Sequence, residues 1–207
     1  MINIQVLQVG PLSTNCYVLS DPETNQCLII DPGGDAECIQ DYLDTHGINP
    51  QVILATHSHA DHTGAVKILV ERYGSQFMIG LGDVGSVNRQ MDWLVSMIDG
   101  FQDPPQPDKK LEHRDKFDVG GISVEVLSTP GHTPGSSCFL VGDNVFTGDT
   151  LFRESIGRFD FPGGSEAQEI ESIKNILFAL DDETVVFPGH GPSTSIGHEK
   201  LANSFVR

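Results

Sequence analysis

The stretch His57-Ser58-His59-Ala60-Asp61-His62 holds three imidazoles and one carboxylate in six residues, although the whole chain has only 8 His. It follows an apolar, β-branched run that predicts a strand. Past a strand end, His57 and His59 are two residues apart and can point the same way, whereas adjacent Asp61 and His62 diverge by about 100° if they open a helix. The hexapeptide therefore predicts ligands for two neighbouring divalent metal ions, and the alternative is a polar loop with a chance cluster of histidines.

The composition bounds the class of protein. The chain has 207 residues, of which 38% are hydrophobic and 20% charged, as in an ordinary globular domain. A net charge of −17 makes nucleic acid or an anionic membrane a poor partner, and no apolar run is long enough to predict a membrane span. The four Cys form no CxxC pair and suit a reducing compartment. We therefore expect one domain over 1–207, in the cytoplasm, that acts on a small molecule; the oligomeric state is not predicted.

Hydrophobic periodicity predicts strands and helices in two similar halves of the chain. The predicted strands are 2–9, 15–20, 26–31, 51–55, 76–80, 122–128, 136–141, 145–147 and 184–187. The predicted helices are 35–46, 63–73, 83–98 and 195–203, and the capping box Ser165-x-x-Gln168 opens another.

The middle of the chain holds two features with open interpretations. In the predicted helix 83–98, Met91, Trp93 and Met97 could face a substrate, but apolar residues at helical spacing are usually core, and core is the favoured interpretation. Residues 99–108 contain three Pro and one Gly and predict a long surface loop. That loop is either a cover over the site or a mere connection.

Three later loops have a common form, in which a strand is followed by Gly or Pro and then by one ligand-type residue. They place His132 within 129–135, Asp149 within 146–150 and His190 within 185–192. Gly and Pro let such loops turn sharply and bring their backbone close to a site. Each loop taken singly is better explained as surface or turn, but their occurrence together with the hexapeptide indicates a shared site. The remaining residues His46, His113 and His198 lack this setting and are predicted to lie on the surface.

These motifs resemble the metallo-β-lactamase superfamily, whose signature HxHxDH stands here as His57-x-His59-x-Asp61-His62. The stretches 148–164 and 188–197 are most similar to the small, single-domain glyoxalase II-like (hydroxyacylglutathione hydrolase-like) members. The resemblance covers essentially the whole chain. It implies an α/β fold, a four-layer αββα sandwich with metals at one edge between the two sheets, and no separate C-terminal substrate-binding domain.

The resemblance also implies a set of metal ligands. In it His57, His59 and His132 hold a first ion, while Asp61, His62 and His190 hold a second, and Asp149 bridges the two. Zinc is the expected metal, with iron or manganese as alternatives, and Asp61 and Asp149 are the expected catalytic carboxylates. True β-lactamases of the family commonly use a Cys ligand in a downstream loop. Here Asp149 occupies the corresponding loop and Cys138 lies inside a predicted strand, which weakens an antibiotic-hydrolase assignment.

The expected activity is hydrolysis of a thioester of the acyl-glutathione type, such as S-lactoylglutathione, by a metal-bridging hydroxide. Thiols ionise near pH 8.5, so the leaving group needs no separate general acid, whereas an amide nitrogen would. One alternative is a mononuclear-iron persulfide dioxygenase, a relative in which only the equivalents of His57, His132 and Asp149 bind iron. Another is a member that binds metal but acts only as an interaction module.

Substrate-binding residues are harder to predict. The resemblance places a cationic residue after the Asp149 loop, matched by Arg158, but the expected Tyr nearby is Asp160. Arg158 therefore either grips a substrate carboxylate or ties its own loop to Asp160 or Glu154, and Arg153 has the same two interpretations. Asp31, after a strand, either accepts a proton from a ligand imidazole or simply forms a turn, and Asn15 is similarly open.

Overall fold

The computed structural model describes residues 2–206, and within them two six-stranded sheets lie face to face. The first sheet has the order β1 to β6, and the second has the order β14, β13, β10, β9, β8, β7, while β11 and β12 form a separate hairpin. In chain order the strands are β1 (Asn3–Val9), β2 (Thr14–Ser20), β3 (Gln26–Ile30), β4 (Asn49–Ala55), β5 (Gln76–Gly80), β6 (Lys109–Leu111), β7 (Lys116–Val119), β8 (Ile122–Ser128), β9 (Ser137–Val141), β10 (Asn144–Gly148), β11 (Leu151–Phe152), β12 (Ser155–Ile156), β13 (Val185–Pro188) and β14 (Thr194–Ser195).

Helices cover the outer faces of both sheets. They are α1 (Ala36–His46), α2 (Ala60–Thr63), α3 (Val66–Tyr73), α4 (Asp92–Val95), α5 (Glu166–Ser172) and α6 (Ile196–Ala202). A 3₁₀ turn occupies Leu81–Asp83, and α5 continues as a π-helical turn over Ile173–Leu177. No helix within 2–206 combines the length and the apolar character that crossing a membrane requires.

Alternation along each strand creates the four layers. On β4, Val52 and Leu54 face the core between the two sheets, whereas Ile53 and Ala55 pack against the layer of α1 and α3. On β9, Phe139 points into the same central core and Cys138 points towards the layer of α5 and α6. Successive side chains of a strand point to opposite faces, so a strand buried on both sides reads as a continuous apolar run. The predicted α/β fold, a four-layer αββα sandwich, is confirmed.

Most predicted elements are confirmed within one or two residues, including the three N-terminal strands and the capping box, where Ser165 Oγ accepts a hydrogen bond from Gln168 N. The predicted helix 63–73 is not continuous. The chain first forms the short helix α2, which begins at Ala60, and the longer helix α3 starts only at Val66. The short strands β6, β7, β11, β12 and β14 were not predicted.

The predicted helix 83–98 is wrong. Only the 3₁₀ turn that ends at Asp83 and the single helical turn of α4 are helical there. The Asp83 carboxylate instead accepts hydrogen bonds from Ser58 N, Thr133 Oγ1 and Gly135 N, which anchor the chain to two neighbouring loops. These tertiary bonds override a helical pattern that rested on apolar spacing alone.

Candidate metal centre

Four loops carry the candidate residues, and each begins where a strand ends. The hexapeptide follows β4 and runs into α2, while the other three loops follow β8, β10 and β13. Strands β10 and β13 are parallel, and β9 runs antiparallel between β8 and β10, so these three loops emerge at one edge of the second sheet. Hydrogen bonds from Ser137 N to Thr56 O (2.8 Å) and from Tyr17 Oη to Pro188 O (2.7 Å) tie that edge to the first sheet.

The first cluster consists of three ring nitrogens, His57 Nε2, His59 Nδ1 and His132 Nε2. Their mutual separations are 3.0, 3.2 and 2.9 Å. A neutral imidazole has a single N–H, so three nitrogens this close cannot all be satisfied by one another. Tetrahedral nitrogen ligands about 2.0–2.1 Å from zinc lie about 3.3 Å apart, and the triangle therefore fits one shared ion.

The second cluster consists of Asp61 Oδ2, His62 Nε2 and His190 Nε2. The two ring nitrogens are 3.3 Å apart, and the carboxylate oxygen is 3.5 Å from His62 and 3.3 Å from His190. The backbone comes close as well, since a Cβ on Gly189 would lie 2.7 Å from His62 Cε1. A donor set of two imidazoles and one carboxylate suits zinc, iron or manganese.

Asp149 lies between the clusters, with one oxygen towards each. Its Oδ1 is 3.3 Å from His62 Nε2 and 3.6 Å from His190 Nε2, and its Oδ2 is 3.7 Å from His132 Nε2. Oδ1 is buried and has no hydrogen-bond partner within 2–206. A buried anionic oxygen without a donor is costly, so a cation at this point would offset the cost.

The outward-facing ring nitrogens of three of the histidines are held by other parts of the chain. Nδ1 of His62 lies 2.9 Å from Asp31 Oδ2, and Nδ1 of His132 lies 2.6 Å from the backbone oxygen of Arg158. Nδ1 of His190 lies 3.2 Å from Leu12 O. A metal-binding imidazole usually donates its other N–H to a carboxylate or carbonyl, which fixes the tautomer and the ring orientation. The residues present therefore fit a His/Asp metal site.

The two clusters differ in their affinity for protons. Burial and the neighbouring imidazoles hold the pKa of His57 well below its usual value, and burial lowers the pKa of His59 to about 4. Burial alone would also lower the pKa of His62, but the carboxylates of Asp149, Asp61 and Asp31 outweigh it and raise that pKa. The pKa of His190 is raised against burial by its hydrogen bond to Asp61 and by Asp149.

We expect acidification to remove the second ion before the first. Below their raised pKa values His62 and His190 carry protons that a metal must displace, so affinity at that cluster falls by about tenfold per pH unit for each displaced proton. His57 and His59 present no such extra proton near neutral pH, because the pKa of His57 is held well below its usual value and that of His59 is lowered to about 4. Chelator competition followed by counting ions per chain at pH 5.5 and 7.5 measures this. Parallel loss of both ions, or earlier loss of the first, would contradict the prediction.

A cavity of about 580 Å³ opens onto both clusters. Ligand-type residues from each cluster line its floor, and its walls are mostly apolar. The wall residues outside the seven candidates are Leu12, Met91, Trp93, Leu94, Phe152, Arg153, Ser155, Ile156, Arg158, Phe161, Gly191 and Pro192. The favoured core interpretation of Trp93 and Met97 is wrong, since these side chains are 49% and 44% exposed. No residue of 99–108 lines the cavity, which supports a connection rather than a cover.

The two arginines have different environments. The guanidinium of Arg158 donates to both Asp160 oxygens, each at 2.9 Å, and packs 4.2 Å from the centre of the Phe161 ring. Glu154 is bound to His198 instead. Arg153 is exposed, lines the cavity and forms no ion pair within 2–206. Arg158 thus ties its own loop to Asp160 and also lines the cavity, whereas Arg153 is the one of the two whose charge is open to a ligand.

The sequence did not assign the residues that support these loops. Asp31 accepts hydrogen bonds from Thr56 as well as from His62, and Asn15 Nδ2 donates to the backbone oxygens of Pro188 and Gly191. Glu169 Oε2 accepts from His132 N at 2.7 Å, and burial raises the pKa of its carboxyl to about 8. Asp31 and Glu169 are both buried acids, and acids are rarely buried without a specific partner, but their burial is visible only in three dimensions. His46, His113 and His198 lie outside both clusters, at the surface as predicted.

A four-layer αββα sandwich with a His/Asp metal site at the shared edge of its sheets defines a class of metal-dependent proteins, most of which are hydrolases. The chain belongs to the metallo-beta-lactamase superfamily, whose family model matches residues 9–190. It is also 34% identical to the hydroxyacylglutathione hydrolase GloC of Haemophilus influenzae, over 99% of this chain and 98% of that one.

Solved structures show the same architecture. BLEG-1, a B3 metallo-beta-lactamase, aligns with a TM-score of 0.90 at 33% identity and covers 99% of both chains. TTHA1623 in a di-iron-bound form aligns with a TM-score of 0.86 at 36% identity, over 97% of this chain and 99% of that one. ETHE1 from Myxococcus xanthus aligns with a TM-score of 0.79 at 32% identity, over 98% of this chain and 83% of that one. The chain is thus a metallo-hydrolase superfamily member with relatives of several activities.

Proposed function

We propose that the protein is a binuclear metallohydrolase that cleaves thioesters of the acyl-glutathione type. The observation that carries the proposal is the position of Asp149, with one carboxylate oxygen towards each cluster. In this arrangement His57, His59 and His132 would hold the first ion, Asp61, His62 and His190 would hold the second, and Asp149 would serve both. Zinc fits both donor sets, and iron or manganese fits the second cluster as well.

Two divalent ions held there would lower the pKa of a bound water to near neutrality and polarise a carbonyl oxygen. The chain's own residues supply the positioning. Asp61 and Asp149 both line the cavity floor, where their carboxylates can accept a hydrogen bond from the attacking water and orient it.

The cavity walls favour a good leaving group. Apart from the seven proposed ligands, the polar side chains on the wall are Arg153, Ser155 and Arg158. None of these side-chain types releases a proton readily near pH 7, so the wall holds no general acid for an amide nitrogen. A thiolate can leave without one. The likeness to GloC supports the same substrate class.

An antibiotic substrate has less support from the site itself. Cys138 lies within β9, away from both clusters, with its Sγ 3.3 Å from Thr129 Oγ1. Burial raises the pKa of this thiol to about 12, so it is not a ready thiolate ligand. The structural likeness to BLEG-1 nonetheless makes a β-lactam a necessary member of the test panel.

A mononuclear-iron persulfide dioxygenase is the second candidate, supported by the likeness to ETHE1, which belongs to that class. It would use His57, His132 and Asp149, which lie together here. The completeness of the second cluster favours two ions instead.

Elemental analysis beside substrate turnover tests the assignment. We expect about two transition-metal ions per chain and hydrolysis of S-lactoylglutathione, with slower turnover of nitrocefin. About one iron per chain, with oxygen uptake on glutathione persulfide and no thioester hydrolysis, would replace the hydrolase by the dioxygenase. Full metal content without turnover of any of these substrates would indicate a binding module.

Replacing Arg153 by Gln is expected to raise the KM for S-lactoylglutathione about three- to tenfold and to leave kcat nearly unchanged. The size of this change in KM is what we expect from the loss of one partly exposed, hydrogen-bonded ion pair between Arg153 and a glutathione carboxylate. Steady-state kinetics measures it, and Arg89→Gln, an exposed arginine outside the cavity, is the matched control. An unchanged KM in Arg153→Gln would remove Arg153 from the substrate site.

A further inference from the structure

Part of the cavity wall is an exposed aromatic surface. Trp93 and Phe161, which we call the aromatic wall, come from two separate segments and both line the cavity, with Phe161 beside the first cluster. The Trp93 and Phe161 rings are 6.3 Å apart and tilted by 34°. Half of the Trp93 surface is exposed to solvent, although Leu94 next to it is buried. An exposed large aromatic at the mouth of a cavity commonly marks a binding surface.

The aromatic wall is held in a fixed orientation. The Phe161 ring meets the His59 ring edge to face, with centroids 5.4 Å apart. The guanidinium of Arg158 packs over Phe161 and is itself held by two hydrogen bonds to Asp160. A ring restrained from several directions loses little entropy when a ligand packs on it.

The position of the aromatic wall indicates which half of a thioester substrate would lie against it. Its nearest ligand-type neighbours are His59 and His132 of the first cluster, with the Phe161 ring centroid 5.4 and 6.2 Å from theirs. Arg153 follows Phe152, whose ring lies 6.3 Å from that of His190 in the second cluster. Arg153 lines the same cavity, so the charged glutathione half matches that open cation, and the uncharged acyl half matches the apolar surface beside the first cluster.

We propose that the aromatic wall binds the acyl chain of the substrate and makes the enzyme selective for large apolar acyl groups over lactoyl. This inference rests on the proposed thioesterase function. A lactoyl group is small and covers little of the apolar surface of the two rings, and Phe161 offers its hydroxyl no hydrogen-bond partner, while Trp93 offers only its single indole N–H. A longer alkyl or aryl chain would cover the wall and release the water on it.

The test uses thioethers, which mimic the acyl chain but contain no bond that the enzyme would hydrolyse. S-methyl-, S-butyl- and S-hexylglutathione, and the same alkyl groups on N-acetylcysteamine, are titrated into the metal-loaded protein. Trp93 is the only Trp in the chain, so intrinsic fluorescence reports directly on the wall. We expect affinity to rise by about two- to fourfold per methylene, up to the length that the wall can cover. The cysteamine series gives this dependence even if glutathione is not the natural thiol.

Variants locate the effect on the wall. Phe161→Ala and Trp93→Ala, followed by calorimetry, are expected to flatten the chain-length dependence. Met97→Ala is the matched control, because Met97 is similarly exposed but does not line the cavity. Far-ultraviolet circular dichroism and metal content establish that each variant is folded and loaded.

The outcomes separate this inference from the function on which it rests. Two results together support the inference. The dependence of affinity on chain length is lost in Phe161→Ala and kept in Met97→Ala, and kcat/KM is higher for hexanoyl- than for lactoylglutathione. If affinity is independent of chain length in both thioether series, the proposal that the aromatic wall binds the acyl chain is overturned, whichever substrate the enzyme hydrolyses. If binding depends on chain length but no thioester is turned over, the aromatic wall is supported as a binding surface for apolar chains and the thioesterase assignment is overturned.

Discussion

Replacing Asp149 by Asn is expected to lower metal content and hydrolysis together, with kcat/KM falling by at least about 100-fold. Substitution of a residue that only supports a ligand typically costs 10- to 100-fold, and a bridging ligand should cost more. The Asp149 carboxylate faces both clusters, and the three imidazoles around it hold its pKa well below the usual value against the effect of burial. An amide has one acceptor oxygen and no charge, so it can serve at most one of the two ions. Elemental analysis and steady-state kinetics on the same preparation measure both effects.

Asp143→Asn is the control for this variant, because it makes the same chemical change at an exposed turn between β9 and β10. It should keep full metal content and full activity. Two ions per chain in Asp149→Asn would exclude the bridging role. Loss of only the second ion, with the first retained at full affinity, would make Asp149 a ligand of the second cluster alone.

The fold could be predicted because it depends on local patterns that survive packing. On β4 the continuous apolar run 52–55 already shows a strand buried on both faces, and such strands occur in layered α/β folds. The pattern 83–98 failed for the opposite reason. Its apolar residues are divided between different clusters, with Val87 in the helical layer of the first sheet and Leu94 and Ile98 packed near Ala60.

The candidate site likewise has residues that the sequence predicts and residues that it does not. Ligand-type residues in Gly/Pro loops stand out in a sequence because of their chemistry and their position after strands. Their supports do not, since Asp31, Asp83 and Glu169 are ordinary acids until burial removes their solvent. The sequence left both interpretations of Asp31 open, and the structure shows its carboxylate bonded to a ring nitrogen of His62. The pairing of Arg158 with Asp160 likewise required the loop geometry.

Replacing Asp31 by Asn is expected to lower the affinity for the second metal ion by about 10- to 100-fold and to leave the first ion bound. Asp31 Oδ2 accepts hydrogen bonds from Thr56 Oγ1 at 2.7 Å and from the Nδ1–H of His62 at 2.9 Å. In the metal-loaded protein that acceptance keeps the remaining proton of His62 on Nδ1 and leaves Nε2 directed at the second cluster. In the variant Oδ1 must still accept from Thr56 N, so the new NH2 group faces His62. The imidazole then has to accept at Nδ1 and carry its proton on Nε2, where it blocks the metal.

Asp83→Asn separates this tautomer effect from a general loss of buried hydrogen bonds. Asp83 is buried, like Asp31, and accepts three hydrogen bonds, but its donors are Ser58 N, Thr133 Oγ1 and Gly135 N rather than an imidazole. Both variants should lower the melting temperature, since each turns an amide NH2 group towards a buried donor. Only Asp31→Asn should lose the second ion selectively when metals are counted against a chelator of graded strength. Equal loss of the second ion in both variants would mean that Asp31 acts through loop stability and does not set the tautomer of His62.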